Sequence, residues 1–410
     1  MKKHLLCTTL ALIPVTAQAT NGYFMHGSSI TSQAMAGAGV TLPHDSIHAV
    51  ANPANLVDSE ERFDLGLNIF SPDRSAQIVG NGLIPEGSYG ANGTSTFYMP
   101  QLGLVRHIND KLSYGVALYG NGGMNTTYKQ NPFASFGAVG SGGVDLAQIF
   151  FTGSLGIKLT EASSLGLGVT HFYQRFEAQG IQPFAGMSAV PGNVSNQGYD
   201  SATGWGVKIG FKTQVNDQLT LGANWNSSID SSKFNKYRGL FAEQGDFDVP
   251  SSLVVGASFQ VDPRLTLAVD WERINYSEVK AISNSNIAGG PLGADNGMGF
   301  GWQDMDVVKL GVEYQASESL ILRAGYSFAD QPIPASQTFF NILAPGVVEK
   351  HLSLGGTWNI SANQALTFAY TRAFENSVTG QNSIPPSFGS GEANLKMDQD
   401  LIGVTWTYLF

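Results

Sequence analysis

Residues Asn216–Trp225 read NDQLTLGANW, a polar turn followed by a run in which neighbours alternate. Leu219, Leu221, Ala223 and Trp225 share one face, while Thr220, Gly222 and Asn224 share the other. A period of two marks a β-strand whose faces meet different surroundings. The phrase returns as NDKLSYGVAL (Asn109–Leu118), ASSLGLGVTH (Ala162–His171), DPRLTLAVDW (Asp262–Trp271), SESLILRAGY (Ser317–Tyr326) and ANQALTFAYT (Ala362–Thr371). Each copy follows a run of the same kind, such as GWGVKIGFKTQV before Asn216, so the copies read as hairpins. Adding a first strand near Arg62–Phe70 and a last near Met397–Phe410 gives about 14 strands, an even number as in bacterial outer-membrane barrels. The remaining connections are long, on the order of 20 residues, near 71–94, 123–143, 179–199, 228–250, 279–302, 329–348 and 375–396. Short turns on one side and long loops on the other are the outer-membrane asymmetry, and closure removes bare edges.

Composition agrees. Charged residues are only 13% against 11% aromatics and 49 glycines, too few charges to coat a water-facing shell of this size. No segment after the first residues offers ~18 uninterrupted apolar residues, so membrane helices are not expected. Lys2 and Lys3 precede a short apolar run that ends in Ala17-Gln18-Ala19, which reads as a signal peptide over residues 1–19. Cys7, the single cysteine, lies inside it, so the exported chain is expected to fold without disulfides. Removing the two signal lysines from 22 Lys+Arg leaves 20 against 32 Asp+Glu, a formal charge of −12. So acidic a chain suits no nucleic-acid partner. In LIGVTWTYLF, Ile402, Val404, Trp406, Tyr408 and Phe410 share one face, and the terminal aromatic reads as an address for the outer-membrane assembly machinery.

The N-terminal stretch TNGYFMHGSSITSQAMAGAGVTLPHDSIHAVANPANLV (Thr20–Val57) resembles the hatch of the FadL family of outer-membrane transporters for long-chain fatty acids and other hydrophobic compounds. AMAGAGV at Ala34–Val40 and the triplet Asn52, Pro53, Ala54 carry that likeness. YGVALYGNGGMNTTY (Tyr114–Tyr128) resembles the family's third strand, and Val249–Val279 its eighth and ninth. The resemblance implies an all-β, 14-stranded antiparallel transmembrane β-barrel with an N-terminal lumenal hatch, residues 20–60 forming the plug and 61–410 the wall. It also implies capture of ligand at the extracellular loops, passage past the hatch, and lateral exit near a kinked third strand, where Gly120, Gly122 and Gly123 stand. By the same resemblance Asn52-Pro53-Ala54 is the expected gate; Pro53 bars a helix through it and pushes Asn52 to extended geometry.

Capture needs exposed apolar surface. Phe234, Tyr237 and Phe241 stand at helical spacing beside Lys233, Lys236 and Arg238, a stretch able to hold an alkyl chain and greet an anionic head or lipopolysaccharide phosphate; the alternative is a loop helix packed on its neighbours. Phe184, in IQPFAGMSAV, would form the opposite wall of a groove. Alternation turns Lys309, Arg323, Glu313, Asp270 and Glu272 toward the lumen, where Arg323 or Lys309 could meet a carboxylate or simply join an interstrand ion-pair ladder. No nucleophile or metal motif surrounds His44, His48, His107, His171 or His351, so neither enzymatic activity nor a cofactor is expected. The expected function is passive uptake of long-chain fatty acids or other hydrophobic small molecules by a monomer set in outer-membrane lipid and lipopolysaccharide. The alternatives are a surface adhesin or structural barrel, an aromatic or alkane hydrocarbon channel of the same family, and a general porin.

Overall fold

The computed structural model describes residues 20–410, so the signal peptide and Cys7 lie outside the described residues. The wall comprises β1 (Arg62–Val79), β2 (Phe97–Asn109), β3 (Leu112–Asn125), β4 (Gly143–Lys158), β5 (Ser163–Gln179), β6 (Asp200–Gln214) and β7 (Leu219–Asn226). It continues with β8 (Ser252–Asp262), β9 (Leu265–Ile274), β10 (Met305–Ser317), β11 (Leu320–Ala329), β12 (Lys350–Ser361), β13 (Gln364–Val378) and β14 (Glu392–Leu409). These 14 antiparallel strands close on themselves, with β14 paired to β1 from Arg62–Leu409 to Val79–Glu392. Closure satisfies the backbone of both terminal strands, as lipid requires. Tight turns such as Asp110-Lys111, Pro263-Arg264 and Ala362-Asn363 sit at one rim, and the long connections at the other.

Alternation decides which side of the wall each residue meets. Leu221 and Trp225 of β7 are exposed on the outer face, and Asn224 is buried on the inner one. Leu65, Leu67 and Ile69 of β1 continue the same outer band, with Asp64 and Asn68 inside. At the carboxy terminus the Arg106 guanidinium lies 3.4 Å over the Phe410 ring, and Phe410 donates its N–H to the Glu61 carbonyl.

Two strands exceed the sequence expectation. β1 runs on to Val79 rather than stopping at Phe70, and β14 begins at Glu392 rather than Met397, so the loops placed at 71–94 and 375–396 are shorter. Pro72 and Asp73 look like turn residues. Pro72, however, sits above the last β1–β2 pair, Phe70–Phe97, where no strand on that side needs its missing N–H.

Candidate functional site

Inside the wall the chain from Thr20 to Glu61 folds as a plug. Ser29 caps a short helix, α1 (Ile30–Gln33), in a capping box with Ser32, and Asp45 caps a second, α2 (Ser46–Ala51), by accepting from the His48 N–H. His48 thus lies on a helix. Pro53 ends α2, and Asn52 (φ −114°, ψ 95°) turns the chain into a 3₁₀ turn over Pro53–Val57. The Asn52 amide donates to the Val40 carbonyl at 2.6 Å, and Ser164 of β5 donates to the Ala54 carbonyl at 2.8 Å.

The wall makes room for the plug by omitting side chains. A Cβ on Gly166 would stand 2.1 Å from the Pro53 carbonyl carbon, one on Gly210 2.1 Å from Asn52 Oδ1, and one on Gly325 2.1 Å from the Met35 carbonyl carbon. Two wall carboxylates then hold the plug. Asp64 accepts from the backbone and hydroxyl of Ser46, at the start of α2. Asp270 of β9 accepts from the N–H groups of Gly39 and Val40 at 2.8 and 2.9 Å.

Lys309 and Arg323 point into the lumen and are already neutralised. Lys309 Nζ lies 2.8 Å from Glu272 and donates to the His26 carbonyl; Arg323 lies 2.7 Å from Glu313 and donates to Thr357. Of the two readings open from sequence, this geometry is that of the ion-pair ladder. A chamber of about 140 Å³ between the plug and the wall has Lys309, Glu272, Asp270 and Lys208 among its lining residues.

The capture residues are not exposed. Phe234, Tyr237, Phe241 and Phe184 are each at most 3% accessible. The expected helix is replaced by one 3₁₀ turn at Asn235–Tyr237 and an irregular turn with Glu243 and Gln244 at positive φ. Phe234, Tyr237 and Phe241 pack around Phe176 of β5, with ring centroids 4.7–5.6 Å apart. Phe184 sits among Phe133, Phe339, Phe340 and Phe388. The loops therefore bury these rings against one another in a lid, because burial of aromatic area outweighs leaving it in water.

The wall is interrupted between β2 and β3. Their ladder begins at Asn109–Leu112 and stops at Leu102–Leu118. Above it, β2 pairs only with β1, and β3 pairs with β4 through a register shift between Gly120 and Gly122. The plug occupies the vacated edge: Phe24 bridges to Gly122, and the Gly123 N–H donates to the Tyr23 carbonyl at 3.2 Å. Gly122 has φ +144°, and a Cβ there would lie 1.7 Å from the Tyr23 oxygen, so only glycine fits. A bridge between Asn92 and Thr127 closes the window above.

A cavity of about 770 Å³ occupies this window. Met25, Phe97, Met99, Met124, Trp302 and Met397 line it toward the lumen, and Tyr98, Ile149 and Tyr173 line it on outward-facing positions. Arg74 also lines it, at a position where the sequence predicts a loop and the structure continues the strand. The alternation of Pro72, Arg74, Ala76 and Ile78 was the available sign that β1 continued there.

Residues 10–410 match the family model described as outer membrane protein transport protein (OMPP1/FadL/TodX). The chain belongs to this family. It is therefore an outer-membrane transport protein, and the barrel stands in the outer membrane. It is 24% identical over 334 residues to outer membrane protein P1 of Haemophilus influenzae, covering 72% of this chain and 71% of that one. Its fold is similar to a FadL homologue of Pseudomonas aeruginosa, with TM-score 0.73 and 18% identity over 95% of this chain and 100% of the other. It is also similar to the toluene transporter TodX of Pseudomonas putida, with TM-score 0.71 and 20% identity over 95% and 100% of the two chains.

Proposed function

We propose that the protein carries hydrophobic small molecules inward and releases them sideways through the β2–β3 window. The observation that carries this reading is the cavity of about 770 Å³, bounded by both lumen-facing and outward-facing residues where two wall strands part. Its size falls in the range of about 300–1,000 Å³ usual for small-molecule pockets. Its lining of Met, Phe and Trp side chains favours an apolar body over a polar solute. Straight descent is obstructed, since the plug meets the wall at backbone contact along Gly166, Gly210 and Gly325. Ligand would arrive by way of the loop lid, whose buried rings must part to admit it. Two of the similar proteins support the substrate class in outline, one being a toluene transporter and another a FadL homologue.

A reversible staple tests the exit. A Cβ on Gly120 would lie 3.9 Å from the Met99 Cβ across the window, close to the ~3.8 Å of ordinary disulfides. The double variant Met99→Cys, Gly120→Cys brings no competing thiol, because the sequence holds one cysteine, Cys7, in the expected signal peptide. Uptake of labelled oleate and of toluene into cells should fall when the pair is oxidised and return on reduction. Uptake unaffected by oxidation, with the crosslink verified, would refute lateral exit.

A further inference from the structure

We propose that Tyr276 is a positioning residue of the gate: from an extracellular loop its hydroxyl holds the plug's first hairpin against β3, so that parting of the loop lid loosens the hairpin at the window. This rests on the transport reading above and adds to it a link between entry and exit.

The hairpin is short. Thr20–Asn21 pairs with Phe24–Met25 around Gly22 and Tyr23, and a lone two-stranded hairpin is marginal at best. Its place therefore depends on what touches it. The first arm is tied to the wall at Thr20, whose hydroxyl donates to Gln399 of β14 at 2.9 Å and whose carbonyl lies 3.2 Å from His351 Nε2 of β12. The turn is held by Tyr276, just past the end of β9. Its hydroxyl donates to the Asn21 carbonyl at 2.7 Å and accepts from the Tyr23 N–H at 3.3 Å. A phenol hydroxyl both donates and accepts, so one oxygen fastens the residues on either side of Gly22. The fit is close: a Cβ on Gly22 would lie 2.7 Å from that oxygen.

Tyr23 is bound through both of its backbone groups. Its N–H goes to Tyr276, and its carbonyl receives the Gly123 N–H of β3 at 3.2 Å. One residue thus joins an extracellular loop to the border of the window. Buried rings carry the link upward. Tyr23 packs on Tyr276, Trp302 and Phe247, with centroids 5.4, 6.1 and 6.3 Å away, and Phe247 lies 4.8 Å from Phe241 of the lid. Tyr276 and Trp302 belong to the loop between β9 and β10, Phe241 and Phe247 to the one between β7 and β8. Lys280 joins the two loops by an ion pair with Glu243 at 2.7 Å. Cargo that parts Phe241 from its neighbours takes packing from Phe247 and shifts the loop that carries Tyr276. The hairpin then loses the hydroxyl, and on the β3 side only Gly122 and Gly123 still hold it.

Y276F deletes the hydroxyl and keeps the ring, so the aromatic packing survives. Hydrogen exchange is measured on the full chain in a nonionic detergent, without cargo and with saturating toluene or oleate, whichever wild-type cells take up. Without cargo, Gly123 in Y276F should exchange about fivefold faster than in wild type, the worth of one hydrogen bond, while β4 and β5 stay protected. With cargo, exchange at Gly123 should rise in wild type and gain little more in Y276F, whose hairpin is already loose. A brace with no part in gating would leave that cargo response intact. Tyr89→Phe is the control, since the Tyr89 hydroxyl donates to the Pro85 carbonyl of its own loop at 2.7 Å, and it should match wild type in both states. Wild-type exchange at Gly123 in Y276F, an equal cargo response in the two proteins, or a rise in Y276F that spreads through β4 and β5 each overturns the proposal. If wild-type cells take up neither compound, the transport reading fails, and this proposal with it.

Discussion

Replacing Gly166 with Ala is the smallest change that should unseat the plug. The added Cβ would stand 2.1 Å from the Pro53 carbonyl carbon, 2.3 Å from Ala54 N and 2.5 Å from the Pro53 oxygen. Ordinary contact begins at 3.4 Å, so wall and turn must separate by roughly 1.3 Å. No rotamer change can supply that distance, because all three atoms are backbone. The turn is also braced, by Asn52 to the Val40 carbonyl and by Ser164 to the Ala54 carbonyl. Overpacking of this kind costs about 1–3 kcal/mol. Urea unfolding followed by tryptophan fluorescence should show a loss of that size. Planar-bilayer recordings should show ion conductance where wild type shows little, since separation opens a seam along β5. Gly153→Ala on β4 is the control, because a Cβ there meets nothing within 4 Å. If Gly166→Ala matches Gly153→Ala in both assays, the turn at Asn52-Pro53-Ala54 does not seal the lumen.

Asp270→Ala removes the acceptor of two plug amides, each hydrogen bond to a charged group being worth about 1.5–3 kcal/mol. Hydrogen exchange at Gly39 and Val40 should quicken while the wall strands stay protected, and unchanged exchange would deny Asp270 a latching role. In the loop between β7 and β8, burial pushes the Asp248 carboxyl up to about 7, with Asp246 and Asp230 adding to the rise and the Ser231 N–H opposing it. A raised carboxyl favours the protonated fold. Its contribution is complete below the ordinary 3.8 and is lost as pH rises through about 7. After correction for intrinsic rates, the amides of Ile229 and Val249 should be better protected at pH 5 than at pH 8, and Asp248→Asn should abolish the difference. A pH dependence that survives Asp248→Asn would assign it to another group.

What was legible in the sequence was whatever repeats locally. Leu221 and Trp225 against Asn224 announce a wall with lipid on one side, because β geometry turns each neighbour through half a revolution. The missing β2–β3 pairing was foreshadowed by glycines at 120, 122 and 123, which weaken a strand wherever they gather. The fate of Phe234 and Phe184 was not legible, since their partners Phe176 and Phe339 come from other strands and loops. Exposure is a property of that assembly rather than of the segment. The inward placement of Arg74 was hidden for a more local reason. Pro72 and Asp73 have the chemistry of a turn, and only the absence of β2 beside them lets the strand continue.

The geometry also argues that plug and window move together. Above Leu118 the β3 edge has no wall strand on one side, and a bare edge facing lipid is costly. The Tyr23 carbonyl and Phe24 answer Gly123 and Gly122 there, so the plug's first hairpin, Thr20–Asn21 against Phe24–Met25, stands in for part of the absent β2 neighbour. A plug that merely corked the lumen would need no such contact with β3. Withdrawing the hairpin would free one or two backbone groups, at about 1–3 kcal/mol apiece, which thermal motion can supply. Those groups lie on the border of the cavity, so on the proposed lateral route the motion that loosens the plug would also widen the exit. Closing the window with the disulfide of the Met99→Cys, Gly120→Cys variant should therefore leave the plug's latches at Asp64 and Asp270 intact, whereas Asp270→Ala should increase exchange at Gly123 as well as at Gly39. Faster exchange at Gly39 with no change at Gly123 would show that the two ends of the plug move independently.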